Sequence, residues 1–148
     1  MAPDDVARPE PYVQPDPELR ALLGDARTIA VVGLSSKPGR PSNDVASYLQ
    51  EKGYRIVPVN PNEADVLGER AHPSLLDVPS DVQIDVVDVF RRPEFTPEVA
   101  RQAVQVGAKL LWLQADIVND AARRIAEKGG LDVVMGVCIR MEHRRLGV

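Results

Sequence analysis

Three stretches of this sequence carry residues whose types and spacing suit a phosphorylated ligand. The first is Gly33-Leu-Ser-Ser-Lys-Pro-Gly-Arg-Pro-Ser42, directly behind an apolar run. Gly33 removes a side chain where a phosphate or ribose could approach the backbone. Ser35, Ser36 and the helix amides that follow Ser42 can donate to a pyrophosphate, and Lys37 and Arg40 add positive charge. The spacing matches neither common phosphate motif. Gly33 and Gly39 stand six apart with no glycine between them, so G-x-G-x-x-G is absent. No lysine follows Gly39, and Pro38 and Pro41 lack an N–H, so the loop is a poorer amide cradle than either motif. A capped strand-to-helix loop with a solvated charge pair fits the same residues.

The second stretch is Asn60-Pro61, at the end of the next apolar run. Folds that bind NAD usually place Asp or Glu there to take the ribose hydroxyls. A neutral amide near basic residues tolerates a ribose that carries phosphate, which an acid would repel. The third stretch, Phe90-Arg-Arg-Pro-Glu94, offers an aromatic face and two cations, or simply two solvent-facing arginines at a helix start. Gln114 follows a fourth apolar run and could reach a ligand there, whereas Trp112 reads as core.

Other reactive types are sparse. His72 and His143 read as surface or structural histidines, and two histidines with one cysteine make no recognisable metal set. Asp85 and Asp88 share one strand, where a buried Asp88 would need a partner. No activated nucleophile or acid–base pair stands out, so no catalytic residue is assigned.

These stretches must be held by something, and the pattern around them alternates. Asp16-Pro17 reads as a cap and first turn of a short helix through Leu19, Leu22 and Leu23, ended by Gly24. Thr28 to Gly33, Arg55 to Val59, Asp85 to Phe90, Lys109 to Leu113 and Asp132 to Met135 are short, continuous Val/Ile/Leu runs. They suit strands buried on both faces. Between them lie a helix capped by Ser42 and stopped by Gly53, one opened by Pro97 and closed by Gly107, and one from Asn119 to Lys128. Short elements fall around Val66-Leu67-Gly68 and Ser74-Leu75-Leu76, and Cys138 to Leu146 adds a last helical turn or two. Strands alternating with helices predict an α/β fold: a doubly wound, mostly parallel sheet of five to six strands with helices on both faces. Ligands of such sheets sit beyond the carboxyl ends of the strands, where strand order reverses, and that brings the three loops together.

The 148 residues predict one domain over 16–148, preceded by an extended, proline-rich arm over 1–15. With 18 basic and 22 acidic residues the net charge is −4, which gives no electrostatic footprint for nucleic acid. No apolar run approaches the length of a membrane span, and the first residues do not read as a signal peptide. The lone cysteine, Cys138, excludes a disulfide scaffold and fits a reducing compartment. A cytoplasmic protein is expected, with a homodimer as the base-rate oligomer.

The segments from Val31-Val-Gly-Leu-Ser-Ser-Lys-Pro-Gly-Arg-Pro-Ser42, Gly53 to Pro61, Val87 to Glu94, Gly107 to Gln114, and Cys138 with Glu142-His143 resemble the small single-domain CoA-binding proteins. Those are in turn similar to the CoA-binding domain of the succinyl-CoA synthetase α subunit. The resemblance runs from about Asp16 to Leu146. It implies a Rossmann-type fold holding coenzyme A or an acyl-CoA across the three loops. By position, Gly33, Leu34, Ser35 and Lys37 would contact the nucleotide and its phosphates. Asn60 and Pro61 would border the adenosine, and Val89, Phe90 and Arg91 would line the far side of the cleft. Gly136 and Val137 stand where the family often has an acid and a base. Ligases of this lineage draw a phosphorylatable histidine from a second domain and a nucleotide-grasp module. The resemblance thus favours a binding module without catalysis of its own. Two readings stand beside it: a small enzyme on a CoA thioester or nucleotide, using Lys37, Asn60 or Gln114, and an NAD-binding protein, disfavoured by Asn60 and the missing glycines. For Cys138 the readings are an inert buried thiol or a mixed disulfide with coenzyme A.

Overall fold

A computed structural model describes residues 10–148. Most of the arm expected over 1–15 lies outside these residues. Its end, Glu10 to Pro15, runs against the last strand: Tyr12 and Met135 exchange both backbone hydrogen bonds at 2.9 Å in an antiparallel bridge.

The chain then alternates as the sequence predicts. Helix α1 spans Asp16–Asp25, β1 Thr28–Val32, α2 Pro41–Glu51 and β2 Arg55–Val59. A small hairpin follows, β3 Asp65–Val66 and β4 Glu69–Arg70, with a 3-10 turn at Leu75–Asp77. Then come β5 Val86–Val89, a 3-10 turn at Pro93–Phe95, α3 Thr96–Gln105, β6 Leu110–Leu113, α4 Asp120–Lys128, β7 Asp132–Met135 and α5 Ile139–Leu146. All five long strands are parallel, in the order β2-β1-β5-β6-β7. The tail is two turns of helix rather than one.

The sheet is buried on both sides because its residues alternate between two apolar layers. Ala30, Val32, Val57, Val59, Val87, Val89, Leu111, Leu113 and Val133 pack with α3 and α4. Ile29, Val31, Ile56, Val86, Leu110, Trp112 and Val134 pack with α1, α2 and α5. That double burial is what a parallel sheet requires and why its strands read as unbroken apolar runs. Pro58 is tolerated because β2 is an edge. The Pro58 carbonyl accepts from the His72 N–H at 3.0 Å on the outer side, so the missing N–H faces away from β1.

Three helix ends differ from the sequence reading. Helix α1 begins at Asp16 itself, behind Pro15, and runs through Gly24 to Asp25. Helix α2 begins at Pro41 behind Arg40, so Ser42 is inside the first turn and caps nothing. The fixed φ of proline suits the first helical position, and this outweighs the capping preference of serine one residue later. Helix α3 begins at Thr96, one residue before Pro97. No helix among the described residues is long and apolar enough to cross a membrane.

Candidate functional site

From β1 the chain steps outward to β2 and then returns to the other side of β1 with β5. The connections therefore leave β1 and β5 in opposite directions, and a crevice opens above their carboxyl ends. Gly33 and Phe90 form its floor. The Gly33 N–H donates to the Val59 carbonyl and the Phe90 N–H to that of Val32, each at 2.8 Å. Gly33 has φ +87°, and a Cβ built on it would lie 2.5 Å from the Phe90 carbonyl oxygen. The glycine is thus demanded by the protein's own backbone. This corrects the expectation that the missing side chain opens room for a ligand, because Phe90 already fills that room.

The loop after β1 is held by the helix it feeds. The Ser35 N–H donates to Ser42 Oγ at 3.0 Å, and the Asn43 side-chain amide donates to the Ser35 carbonyl at 2.9 Å. The Lys37 N–H donates to Ser35 Oγ at 3.1 Å, and the Gly39 N–H to Asp44 Oδ1 at 3.3 Å. Ser42 and Asn43 are buried, so they act as a clasp while their own N–H groups, with that of Ser36, stay unclaimed by any hydrogen bond among the described residues. Lys37 and Arg40 stand exposed beside them, and neither forms an ion pair among the described residues. Unpaired helix amides flanked by free cations are a favourable setting for an anion.

Asn60 sits at the carboxyl end of β2, half-buried, as the sequence predicts. Its side chain is already committed: Nδ2 donates to the Leu34 carbonyl at 3.1 Å and Oδ1 accepts from the Asn62 N–H at 2.9 Å. Asparagine ties the first loop to the second, and one N–H and one lone pair remain for anything else. Beyond it lies a cavity of about 470 Å³, walled by Gly33, Asn60, Pro61, Asn62, Phe90 and Arg91 on the strand side. Ser74 and Leu75 close one flank, and α3 closes the other with Phe95, Glu98, Val99 and Gln102. The Arg91 guanidinium lies over the Phe95 ring, 4.7 Å from its centroid, which holds this cation at the cavity wall.

Five of the residues singled out in the sequence thus meet at one cavity: Gly33, Asn60, Pro61, Phe90 and Arg91. Ser35, Ser36, Lys37, Arg40 and Ser42 form the adjoining loop and first helical turn. Three others are turned elsewhere. The side chains of Leu34 and Val89 are fully buried in the two apolar layers, so only their backbone can face a ligand. Gln114 is buried too, and its Oε1 accepts from the Ile139 N–H at 3.1 Å, which caps α5 and leaves Nε2 as the group available to a ligand. The α3 wall was missed by sequence reasoning. Its one signal is Phe95, an aromatic left 46% exposed immediately after the third loop.

The remaining reactive groups lie apart. His143 is buried, its Nδ1 2.8 Å from the Tyr48 hydroxyl, and burial followed by the Lys52 charge lowers its pKa. His72 joins the outer edge of β2 through its backbone. Cys138 is half-buried at the start of α5. Asp88 is fully buried under α2 and α5, and neither carboxylate oxygen has a partner. The expected partner is absent among the described residues, and burial holds its pKa well above the ordinary carboxylate range. No group of three or more His, Cys, Asp or Glu among the described residues is arranged to hold a metal ion.

Comparison with known proteins adds the following. A family model described as a CoA binding domain matches residues 27–144. An uncharacterized Bacillus subtilis protein, YneT, is 40% identical over 126 residues, covering 85% of this chain and 92% of that protein. Acetate–CoA ligase II (ADP-forming) of Archaeoglobus fulgidus is 33% identical over 115 residues, but this chain spans only 16% of its length. A hypothetical protein from Pyrococcus horikoshii superposes with a TM-score of 0.87 at 41% identity, covering 91% of this chain and 94% of that one.

Proposed function

Because the chain belongs to the CoA-binding domain family, we propose that it binds coenzyme A or an acyl-CoA across the carboxyl edge of its sheet, as a binding module rather than a catalyst. The observation that carries this reading is the cavity at the strand reversal, bordered by a neutral Asn60 and by cations without acidic partners. A nucleotide whose ribose bears a phosphate needs all three features: volume for the base, no carboxylate at the second strand end, and positive charge within reach. The residues fit. Lys37 and Arg40, with the amides of Ser36, Ser42 and Asn43, face the diphosphate. Asn60, Pro61, Phe90 and Arg91 border the adenosine, with Phe95 and the first turns of α3 behind it.

In this reading the polar side chains act mainly by fixing shape. Ser42 and Asn43 hold the first loop, Asn60 ties it to the second, and Arg91 is held by Phe95. Such prior fixing lowers the ordering cost of binding. In this reading the domain is residues 16–148, with Tyr12 of the preceding segment paired to β7.

Titration calorimetry with coenzyme A, dephospho-CoA and NAD tests the proposal. Coenzyme A binds tightest, dephospho-CoA several-fold weaker for want of its ribose phosphate, and NAD weakest. Equal affinities for the first two remove the basic residues from that role. Binding of NAD in preference to both overturns the reading. Mass spectrometry of gently purified protein supplies an independent check, with coenzyme A or a thioester of it expected as the retained ligand.

A further inference from the structure

We propose that this chain associates with itself head to tail, Met141 of one copy seating in an acidic groove at the amino edge of the next copy's sheet. The groove is a cavity of about 380 Å³ between α1 and the starts of β5, β6 and β7. Its floor is apolar, with Leu22, Val86 and Leu110, and its rim carries Glu18, Asp25 and Asp132. The other two charges there cancel each other: Asp85 Oδ1 lies 3.7 Å from Lys109 Nζ. The rim carboxylates form no ion pair among the described residues, so the groove keeps a negative field around an apolar centre.

The chain also carries the complementary shape. Met141 is 65% exposed, the most exposed large apolar side chain among the described residues. It stands near the start of α5, with Arg140 beside it in sequence and Arg144 and Arg145 one turn on, where they share its helix surface. Arg145 is spoken for by Asp16 and Glu142, but Arg144, whose guanidinium lies over the Tyr48 ring, has no acidic partner among the described residues. An unbranched, adaptable side chain with the Arg144 guanidinium on the same helix surface matches an apolar slot ringed by carboxylates in both packing and charge.

Geometry decides the kind of assembly. Met141 lies just past the carboxyl end of β7, while the groove lies at the amino ends of the same strands. One copy therefore presents both halves at opposite ends, and neither half is self-complementary. Such a contact is heterologous and gives a ring or an open chain, not a two-fold dimer.

Sedimentation of the full chain tests this, with the two surface variants Met141→Glu and Asp132→Arg. At low salt the wild type is expected to show an average mass that rises with concentration above 16.2 kDa and returns toward it as salt is raised. Each variant alone is expected to associate at least tenfold more weakly while keeping the wild-type melting curve. An equimolar mixture of the two should associate again, because the intact Met141 of one variant meets the intact groove of the other, and the new glutamate faces the new arginine at the remaining contact. A wild type that stays monomeric throughout overturns the proposal. So does association that survives in either variant, or a mixture no stronger than its parts.

Discussion

The two edges of the sheet are built by the same five strands yet are opposite kinds of surface. At the amino edge the backbone N–H groups of the strand starts close on Asp85, and the carboxylates of Glu18, Asp25 and Asp132 around them form no ion pair among the described residues. Asp85 Oδ2 accepts from the N–H groups of Arg27 and Thr28 at 2.8 and 3.0 Å, and the Asp85 carbonyl accepts from those of Lys109 and Leu110. At the carboxyl edge the loops are clasped to each other through Ser42, Asn43 and Asn60, but amides and cations are left over. An edge whose backbone donors are satisfied contributes stability. An edge that leaves donors unpaired within a fixed frame is prepared for something from outside. The contrast can be broken or sharpened residue by residue.

The largest effect is expected at Gly33. Gly33→Val meets both a positive φ and a backbone oxygen 2.5 Å from its Cβ. Strain and overpacking together cost about 3 to 5 kcal/mol, enough to unfold a typical domain of this size. Gly39 has nearly the same φ, +88°, but nothing within 4 Å of a built Cβ. Gly39→Ala then bears only the backbone strain, about 1 kcal/mol. Denaturant unfolding of the two variants should separate them clearly. Similar losses would mean that φ alone, and not the approach of Phe90, requires the glycine.

Asp85→Ala should follow. It strands two backbone N–H groups at a site 7% exposed, each costing about 1 to 3 kcal/mol unless water reaches it, for a total of about 2 to 4 kcal/mol. Asp85→Asn keeps an oxygen for those donors and should recover most of the loss. An alanine variant as stable as wild type would show that the amino edge does not depend on this closure.

Much of the fold was legible because a parallel sheet writes itself as apolar runs broken by glycine, and all five strands appear where Val, Ile and Leu cluster. The placing of the loops at the strand reversal was legible for the same reason. What the side chains do in those loops was not. Ser42, Asn43 and Asn60 are polar residues beside a predicted ligand, and nothing local separates a ligand contact from a clasp onto a neighbouring loop. Gln114 caps a helix 25 residues further along the chain. The α3 wall of the cavity depends on how a crossover helix settles over β1 and β2, which periodicity does not specify. Asp88 misled in the other direction, since burial on a central strand argued for a partner and none is present among the described residues.

Asp88 sharpens the comparison within a single strand, three residues from Asp85. Among the described residues it is the one carboxyl whose oxygens are both buried without a partner. An orphaned buried carboxyl costs about 1 to 3 kcal/mol, so Asp88→Val should stabilise the protein by about 1 to 2 kcal/mol at neutral pH. The sign of the pH dependence is fixed by the raised pKa. The folded state keeps a proton that the unfolded chain releases above the ordinary carboxylate value of 3.8. The contribution of protonated Asp88 is therefore full below that value and declines as pH rises toward the folded pKa. Asp88→Asn should remove this decline, flattening stability across that window relative to wild type. Chemical unfolding at a series of pH values reads it. A wild type and an asparagine variant with parallel curves would mean that Asp88 finds a partner in solution.

The smallest effects compare two exposed lysines, one at each edge. Lys109 is 70% exposed and 3.7 Å from Asp85, whose carboxylate is already held by two N–H groups. Solvent screens such a pair, so Lys109→Met should change stability by no more than about 0.5 kcal/mol and leave coenzyme A affinity untouched. Lys37 has no partner at all among the described residues, and Lys37→Met should leave stability equally unmoved. Its effect should appear only when ligand is present, because its charge sits beside the unclaimed amides of the α2 first turn. Losing one screened phosphate contact costs about 0.5 to 1 kcal/mol, roughly a two- to fivefold weaker affinity. That loss should shrink as salt rises, and calorimetry at two ionic strengths would show it. If the two lysine variants bind coenzyme A alike, positive charge at the carboxyl edge has no part in recognition, and only the shape of the cavity still separates that edge from the other.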